Sequence, residues 1–263
     1  MSMLATGLIV VLGAAAASAG GFLLISKFVP DRWLVADGDA ASALYAAIGM
    51  AYAILIAIAA IAVWEPHSAA DAASSEEPAQ LLEAHRAAQA LPSQDRTEIQ
   101  ALITRYTAEV VRDEWPVLRA DKEANPSTAD TFERLRDRVD ALDPDTARQQ
   151  AATDDLSDAA RGAADARRAR VAAATANVPQ PLWPVLALGG MVSIGFLYLF
   201  GLERTFPNGL MMATVGGMIA VVLFVIYEME YPYSRGMAIQ PDAFRAALTE
   251  LREFSPVQRA GPP

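Results

Sequence analysis

Residues 40–64 read AASALYAAIGMAYAILIAIAAIAVW and contain no charged side chain. Three further runs, residues 1–26, 171–202 and 205–227, share this property. A helix rises about 1.5 Å per residue and the hydrocarbon core of a bilayer is about 30 Å thick, so about 20 apolar residues can cross it. The four runs therefore predict an integral membrane protein with four transmembrane helices arranged as two pairs.

The remaining sequence is polar and has helical periodicity without any strand pattern, which predicts an all-α protein with a helical cytosolic domain between spans two and three. We expect four segments: a first transmembrane hairpin at 1–64, the cytosolic domain at 65–180, a second hairpin at 181–228, and a cytosolic tail with a short amphipathic helix at 229–263.

Two helices are predicted within the central region. Asp95 can cap a helix that runs to about Arg119, and a second helix begins near Ser127 and stops before Asp143; these two should pack as an antiparallel pair. Earlier, Pro78 follows a polar stretch and is typical of the first turn of a new helix, which predicts that the helix of the second span is interrupted there.

The formal net charge of −10 and the residue composition together argue against several kinds of partner and site. An acidic soluble region is unsuited to nucleic acid, because phosphate contacts require clustered Lys and Arg. The chain has no cysteine and two histidines, which excludes disulfides and thiolate metal sites. No phosphate-binding loop, nucleophile elbow or zinc-protease motif is present, so we expect no enzymatic activity.

Basic residues near the span ends indicate the orientation of the chain in the membrane. Three lie in the short loops and five flank the spans on the other side, and basic residues favour the cytoplasmic side. The first set is Lys27, Arg32 and Arg204, and the second is Arg167, Arg168, Arg170, Arg235 and Arg245. Both termini and the central region are therefore expected in the cytoplasm.

One face of the second span contains Tyr45, Gly49, Tyr52 and Ile56 at helical spacing. These residues are candidates for a pore wall. The alternative is a seam buried against neighbouring helices, as small residues and aromatics often form in membrane helix pairs.

Two short motifs outside the spans are more specific than the spans themselves. The first is Glu-Trp-Pro at 114–116, and the second is an acidic, aromatic and proline-containing pattern at 228–244. Their distinctive residues are Glu114, Trp115, Pro116, Pro232, Gly236, Pro241 and Phe244. In this order and spacing, together with the four spans, the chain resembles a bacterial bestrophin-like family of membrane proteins over nearly its whole length.

The resemblance implies a four-span subunit of the bacterial inner membrane, assembled as a homo-oligomeric ring around a central axis. It also implies a tentative calcium site, because bestrophins hold calcium with acidic side chains after the last span. Glu228, Glu230 and Asp242 occupy the comparable place, and no other cofactor is required. The alternative is a solvated acidic collar, since the segment lacks the fixed ligand spacing of a dedicated calcium loop.

Two functions remain open from the sequence. The first is an oligomeric ion channel or channel-like protein for inorganic ions, with an undetermined permeant ion. The second is a membrane-anchored sensor or scaffold whose cytosolic helices bind a partner. A symmetric assembly with a continuous axial path favours the first function, and tightly packed spans with an exposed groove on the soluble helices favour the second.

Overall fold

The structure is a computed structural model that describes residues 3–28, 30, 38–120, 123–175, 181–200 and 202–254. Within these residues every regular element is a helix. The α-helices are α1 Met3–Phe28, α2 Gly38–Ala87, α3 Ser93–Glu109, α4 Trp115–Ala120, α5 Pro126–Asp140, α6 Ala147–Thr175, α7 Leu182–Tyr198, α8 Phe206–Met229 and α9 Asp242–Phe254. A 3₁₀ turn, Ala88–Ala90, follows α2, and a π-helical turn, Val110–Glu114, joins α3 to α4.

The chain divides into two compact units. Met1–Glu65 and Asn177–Glu230 form one, which we call the apolar unit. Pro66–Ala176 and Tyr231–Pro263 form the other, which we call the charged unit. Each unit is thus built from two separate stretches of sequence, and α2 contributes its first part to the apolar unit and the rest to the charged unit.

Three helices, α1, α2 and α8, are long and apolar enough to cross a membrane. The apolar helix α7 has 17 residues and is therefore about 26 Å long at 1.5 Å per residue, at the short end for a span. The uncharged run at 171–202 is not one helix, because α6 ends at Thr175 and α7 begins at Leu182.

Helix α2 runs through both of its prolines, Pro66 and Pro78, so the predicted interruption near Pro78 is wrong. Proline removes one backbone hydrogen bond and costs about 3 kcal/mol in a helix interior. Burial of the turns around Pro78 offsets this cost, since Ala70, Leu81 and Ala84 are in the core of the charged unit.

In the apolar unit, the helices pack most closely between the two hairpins. Helix α1 lies against α8, where the Ser18 hydroxyl donates to the carbonyl of Met212 at 2.7 Å and a Cβ added at Gly216 would lie 2.5 Å from the Cβ of Ser18. Helix α2 lies against α7, where the ring of Tyr52 would lie 2.6 Å from a Cβ added at Gly189. Small residues therefore allow the close backbone approach that holds membrane helices together.

In the charged unit, α3 and α5 form the antiparallel pair that the sequence predicts. Arg138, near the end of α5, bonds with Asp95 and, at 2.7 Å, with Glu98 near the start of α3. Helix α3 begins at Ser93 without a side-chain cap, two residues before the predicted cap. Helix α5 is capped by the side chain of Asn125, which accepts from the amide of Ser127 at 3.0 Å.

Candidate functional site

Five polar side chains meet in the interior of the charged unit. They are Glu77, Tyr106, Glu114, Arg167 and Arg170, and we call them the buried charge cluster. Four of the five are fully buried, and Arg167 is 8% exposed. Buried charges are rare unless they are paired, so this group is the most distinctive polar feature of the unit.

Four elements contribute to the buried charge cluster. Glu77 lies on α2 and Tyr106 on α3, while Glu114 is the last residue of the π-helical turn. Arg167 and Arg170 are three residues apart on α6 and therefore lie on the same face of that helix. The cluster thus fastens four segments that are distant in sequence.

The arginines link the two carboxylates. Arg170 donates from Nε to Glu77 at 2.7 Å and from Nη2 to Glu114 at 2.8 Å. Arg167 donates from Nη1 to both oxygens of Glu114, at 2.8 and 2.9 Å. The same nitrogen donates to the Tyr106 hydroxyl at 3.0 Å, and that hydroxyl donates to Glu77, which completes a closed network.

The cluster is neutral as a whole, with two carboxylates and two guanidinium groups. Burial by itself lowers the pKa of Arg170, but its neighbours, Glu77 foremost and then Tyr106 and Glu114, together outweigh this effect and keep that pKa well above its ordinary value. Burial, followed by the charge of Glu77, raises the pKa of Tyr106 well above its ordinary value. Both groups therefore keep their protons at physiological pH, which suits a fixed structural network better than a proton relay.

Trp115 lies beside the buried charge cluster and brings the two sequence motifs together. Its ring packs edge to face against Tyr233 and Phe244, at centroid distances of 5.4 and 5.7 Å. Its Nε1 donates to the carbonyl of Ile239 at 3.3 Å. Trp115 of the first motif and Tyr233, Ile239 and Phe244 of the second are therefore neighbours in space as well as distinctive in sequence.

The Arg170 guanidinium lies over two of these rings, 5.5 Å from the centroid of Trp115 and 5.4 Å from that of Phe244. Its Nη1 has no hydrogen-bond partner among the described residues. A guanidinium over an aromatic face is attracted by the ring quadrupole, and this attraction increases when water is excluded. The aromatic rings thus stabilise the part of Arg170 that the carboxylates do not reach.

The prolines and glycine of the two motifs shape the backbone around Trp115. Pro116 has no N–H for the carbonyl of Arg112, and the wider π turn before it makes room for the proline ring.

The carbonyl of Pro232 accepts from the amide of Ile239 at 2.8 Å and closes the turn that contains Gly236. The carbonyl of Pro241 accepts from Arg245 at 2.9 Å at the start of α9.

A second polar contact ties the segment after α8 to α2. The Ser74 hydroxyl donates to the carbonyl of Ala70 at 2.7 Å and lies 3.2 Å from the hydroxyl of Tyr233. Burial raises the pKa of Tyr233 to about 12, so the phenol stays protonated. This contact and Trp115 hold the part of the motif from Tyr233 to Phe244 within the core of the charged unit.

The structure places the pore candidates of α2 mainly against other helices of the apolar unit. Tyr52 is 8% exposed and donates to the carbonyl of Leu186 on α7 at 3.0 Å. Tyr45 packs edge to face on Phe200, and Ile56 packs against the core of the unit. No described side chain lies within 4 Å of a Cβ built at Gly49. Tyr52 and Ile56 therefore pack within the chain, and a pore wall on this face stays a prediction.

The opposite face of α2 exposes large apolar side chains instead. Met50, Ile54, Ile58 and Ile61 recur every three or four residues and are 56–67% exposed in the single chain. Residues with this spacing lie on one face of a helix, and this face is about half a turn away from Tyr52.

The predicted calcium ligands do not form an evident metal site in one chain. Among the described residues, no group of three or more His, Asp or Glu side chains could hold a metal ion. Glu228 and Glu230 are each 7% exposed, and Glu230 accepts from the indole of Trp183 at 3.1 Å. Asp242 is exposed and pairs with Arg245 at 2.8 Å. Calcium binding stays a prediction without support from these side chains.

Sequence reasoning identified Glu114, Trp115 and Phe244 but missed the partners of Glu114. From the sequence, Arg167 and Arg170 indicated only the orientation of the chain in the membrane. The apolar stripe of α6, which includes Leu156 and Ala163, nevertheless continues through both positions at helical spacing. An arginine on the apolar face of a helix is the signal that could have revealed a buried ion pair.

The comparisons with known proteins agree with these motifs. A family model described as "Bestrophin-like domain" matches residues 12–244, which include most of α1, the other three apolar helices, the buried charge cluster and the contacts of Trp115. No curated protein and no solved structure gives a significant match. Because the family match covers most of the chain, the protein belongs to the bestrophin-like family.

Proposed function

We propose that this protein is an oligomeric, channel-like membrane protein with an undetermined permeant ion. Several copies would place their α2 helices around a common axis, in the inner membrane of a bacterium. The observation that carries the proposal is the exposed apolar face of α2, formed by Met50, Ile54, Ile58 and Ile61. Family membership supports it, and fold likeness alone does not fix a function.

The length of α2 distinguishes it from the other apolar helices. Helices α1, α7 and α8 also expose apolar side chains, as expected for surfaces that contact lipid. Helix α2 has 50 residues and is therefore about 75 Å long, more than twice the thickness of a bilayer core. A ring of such helices would border a path that continues beyond the membrane.

The chemistry of this face suggests how ion passage would be controlled. Isoleucines at 54, 58 and 61 would form successive apolar rings in a symmetric assembly. Hydrophobic constrictions of this kind control conduction by excluding water. They carry no charge that selects cations or anions, so the selectivity would come from other parts of the path.

Within the charged unit, the buried charge cluster would hold the later turns of α2 in place. Glu77 belongs to α2, and Arg170 holds it to Glu114 and to the rings of Trp115 and Phe244. A rearrangement of α6 or α9 would therefore act directly on the later turns of α2, which lie in the charged unit. The positive residues near the span ends favour a cytoplasmic location of this unit and of both termini.

The experiment is ion flux through purified protein in liposomes, for several cations and anions, with and without calcium. Light scattering would first establish the number of subunits. We expect a symmetric oligomer that conducts at least one inorganic ion. The Glu228→Ala/Glu230→Ala double variant tests whether any calcium dependence involves these carboxylates. A folded monomer or dimer without flux for any ion would support a sensor or scaffold instead.

A further inference from the structure

A cavity of about 480 Å³ lies between α5 and α6 in the charged unit. Three arginines line it, Arg136, Arg167 and Arg168, together with one acidic side chain, Glu133. The rest of the lining includes Phe132 and Val171 and is apolar. The volume falls within the range of small-molecule sites, and the mixture of apolar walls with a few polar groups is typical of them.

The lining offers many hydrogen-bond donors and few acceptors. Each guanidinium has five N–H groups and no acceptor. Arg167 uses Nη1 for all its hydrogen bonds to described residues, Arg136 bonds Glu133 through Nη1, and Arg168 bonds Asp165 through Nη2. The other nitrogens of these groups remain available for a ligand that accepts hydrogen bonds.

The two outer arginines are held only weakly by their acidic neighbours. Arg136 and Arg168 pair with acids three residues earlier on the same helix, and both pairs are largely exposed. Exposed ion pairs of this type contribute about 0.2–1 kcal/mol. A bound anion would therefore replace the acidic partners of these arginines with little loss of free energy.

Arg167 differs from the other two because it is nearly buried. It is 8% exposed, its guanidinium lies 5.9 Å from the centroid of the Phe132 ring, and Glu114 fixes it from the inner side. An oriented guanidinium at the base of a cavity is a favourable site for a planar or tetrahedral oxyanion. The neighbouring apolar wall favours a ligand that is not a bare ion.

We propose that this cavity binds a small amphipathic oxyanion, with a phosphate or carboxylate group on the arginines and an apolar body against Phe132 and Val171. The anionic group would be either that of a soluble molecule or the headgroup of a lipid. Since Arg167 also belongs to the buried charge cluster, the ligand would bind beside the network that holds α6 to α2. The inference does not depend on ion conduction.

The test is calorimetric titration of the full-length protein with 1-naphthyl phosphate, in nanodiscs of phosphatidylcholine. Empty nanodiscs correct for partition of the probe into lipid. We expect saturable binding that weakens at least about tenfold in the Arg136→Glu/Arg168→Glu variant, because two charge-assisted contacts become repulsive. The matched control is Arg112→Glu/Arg245→Glu, which reverses two exposed, paired arginines outside the cavity lining.

Ala172→Trp gives a second test that keeps the charges unchanged. Ala172 lines the cavity and is exposed, so the larger side chain should fill the space without disturbing the core. Loss of binding in this variant and in the arginine pair, with unaltered unfolding temperatures, would support the proposal. Absence of saturable binding to the native protein, or an equal loss in the control pair, would overturn it.

Competition identifies the source of the anionic group. Displacement of the probe by phosphatidic acid added to the nanodiscs would support a lipid headgroup as the ligand. Displacement by inorganic phosphate, with no effect of phosphatidic acid, would support a soluble ligand. If neither competes, the cavity does not recognise the phosphate group and the proposal fails.

Discussion

Arg170 is the residue on which the charged unit most depends. It is fully buried, bonds to carboxylates from two elements, and lies over the rings of Trp115 and Phe244. A single substitution at this position therefore changes contacts to α2, to the π turn and to α9. Glu77 and Glu114 would lose a partner while remaining buried.

We predict that Arg170→Met lowers the free energy of unfolding of the charged unit by about 3–5 kcal/mol, because an uncompensated buried charge remains. Urea unfolding followed by tryptophan fluorescence measures this change. The matched control is Arg138→Met, which removes an arginine that is 22% exposed and also bonds two carboxylates. Its loss should be about 1 kcal/mol or less. Equal losses in the two variants would contradict the importance of the buried cluster.

His85 makes the stability of the charged unit depend on pH. It is 2% exposed, and burial, with the charge of Arg86, lowers its pKa below the ordinary value. The folded state thus prefers the neutral imidazole, so its contribution is complete above about pH 6.5 and is lost as the pH falls through the lowered pKa.

We therefore predict that the unfolding temperature of the native protein falls more steeply below about pH 6.5 than that of His85→Gln, which cannot take up the proton. A series of thermal melts across this range measures the difference. His67→Gln is the control, since it removes the other histidine of the chain. Parallel pH curves for the native protein and His85→Gln would exclude this effect.

Some residues of the candidate site could be predicted from the sequence and others could not, for a physical reason. Glu114, Trp115 and Phe244 belong to short motifs whose residue types are unusual together, so they were identifiable from the sequence. Arg167 and Arg170 lie in an alanine- and arginine-rich helix where most charges face water, and only tertiary packing separates the buried ones. Which carboxylate an arginine meets depends on contacts between α2, the π turn and α6.

At the scale of elements, the absence of charge predicted α1, α2 and α8 well, because crossing a bilayer imposes both length and composition. It did not predict where α2 ends. Pro66 and Pro78 lie inside that helix, since the packing of its later turns offsets the lost hydrogen bonds.

The contact between α1 and α8 gives a test of helix packing. We predict that Gly216→Ala destabilises the apolar unit by about 1–3 kcal/mol, because its Cβ would lie 2.5 Å from that of Ser18 and the helices must separate. Gly13→Ala is the control, since a Cβ there has no described contact within 4 Å. Thermal unfolding in detergent measures both, and similar melting of the two variants would contradict the packing.

At the scale of the whole molecule, the two faces of α2 differ in their surroundings. The face that contains Tyr52 packs within the chain, whereas Ile54 and Ile58 on the other face are exposed in the single chain. The sequence predicts a pore wall on the face of Tyr52, and this stays a prediction; both faces are apolar, and only packing against other helices such as α7 distinguishes them.

The most direct measurement is flux through single-cysteine variants treated with a charged, membrane-impermeant thiol reagent. The chain has no cysteine of its own, so each variant carries one reactive site. Ile58→Cys tests the open face of α2, Ile56→Cys the packed face, and Leu188→Cys an exposed position on α7. We predict that the reagent blocks flux in Ile58→Cys and leaves the other two and the native protein unchanged. Block of Ile56→Cys instead, or no block at Ile58→Cys when labelling is complete, would contradict a path bordered by this face.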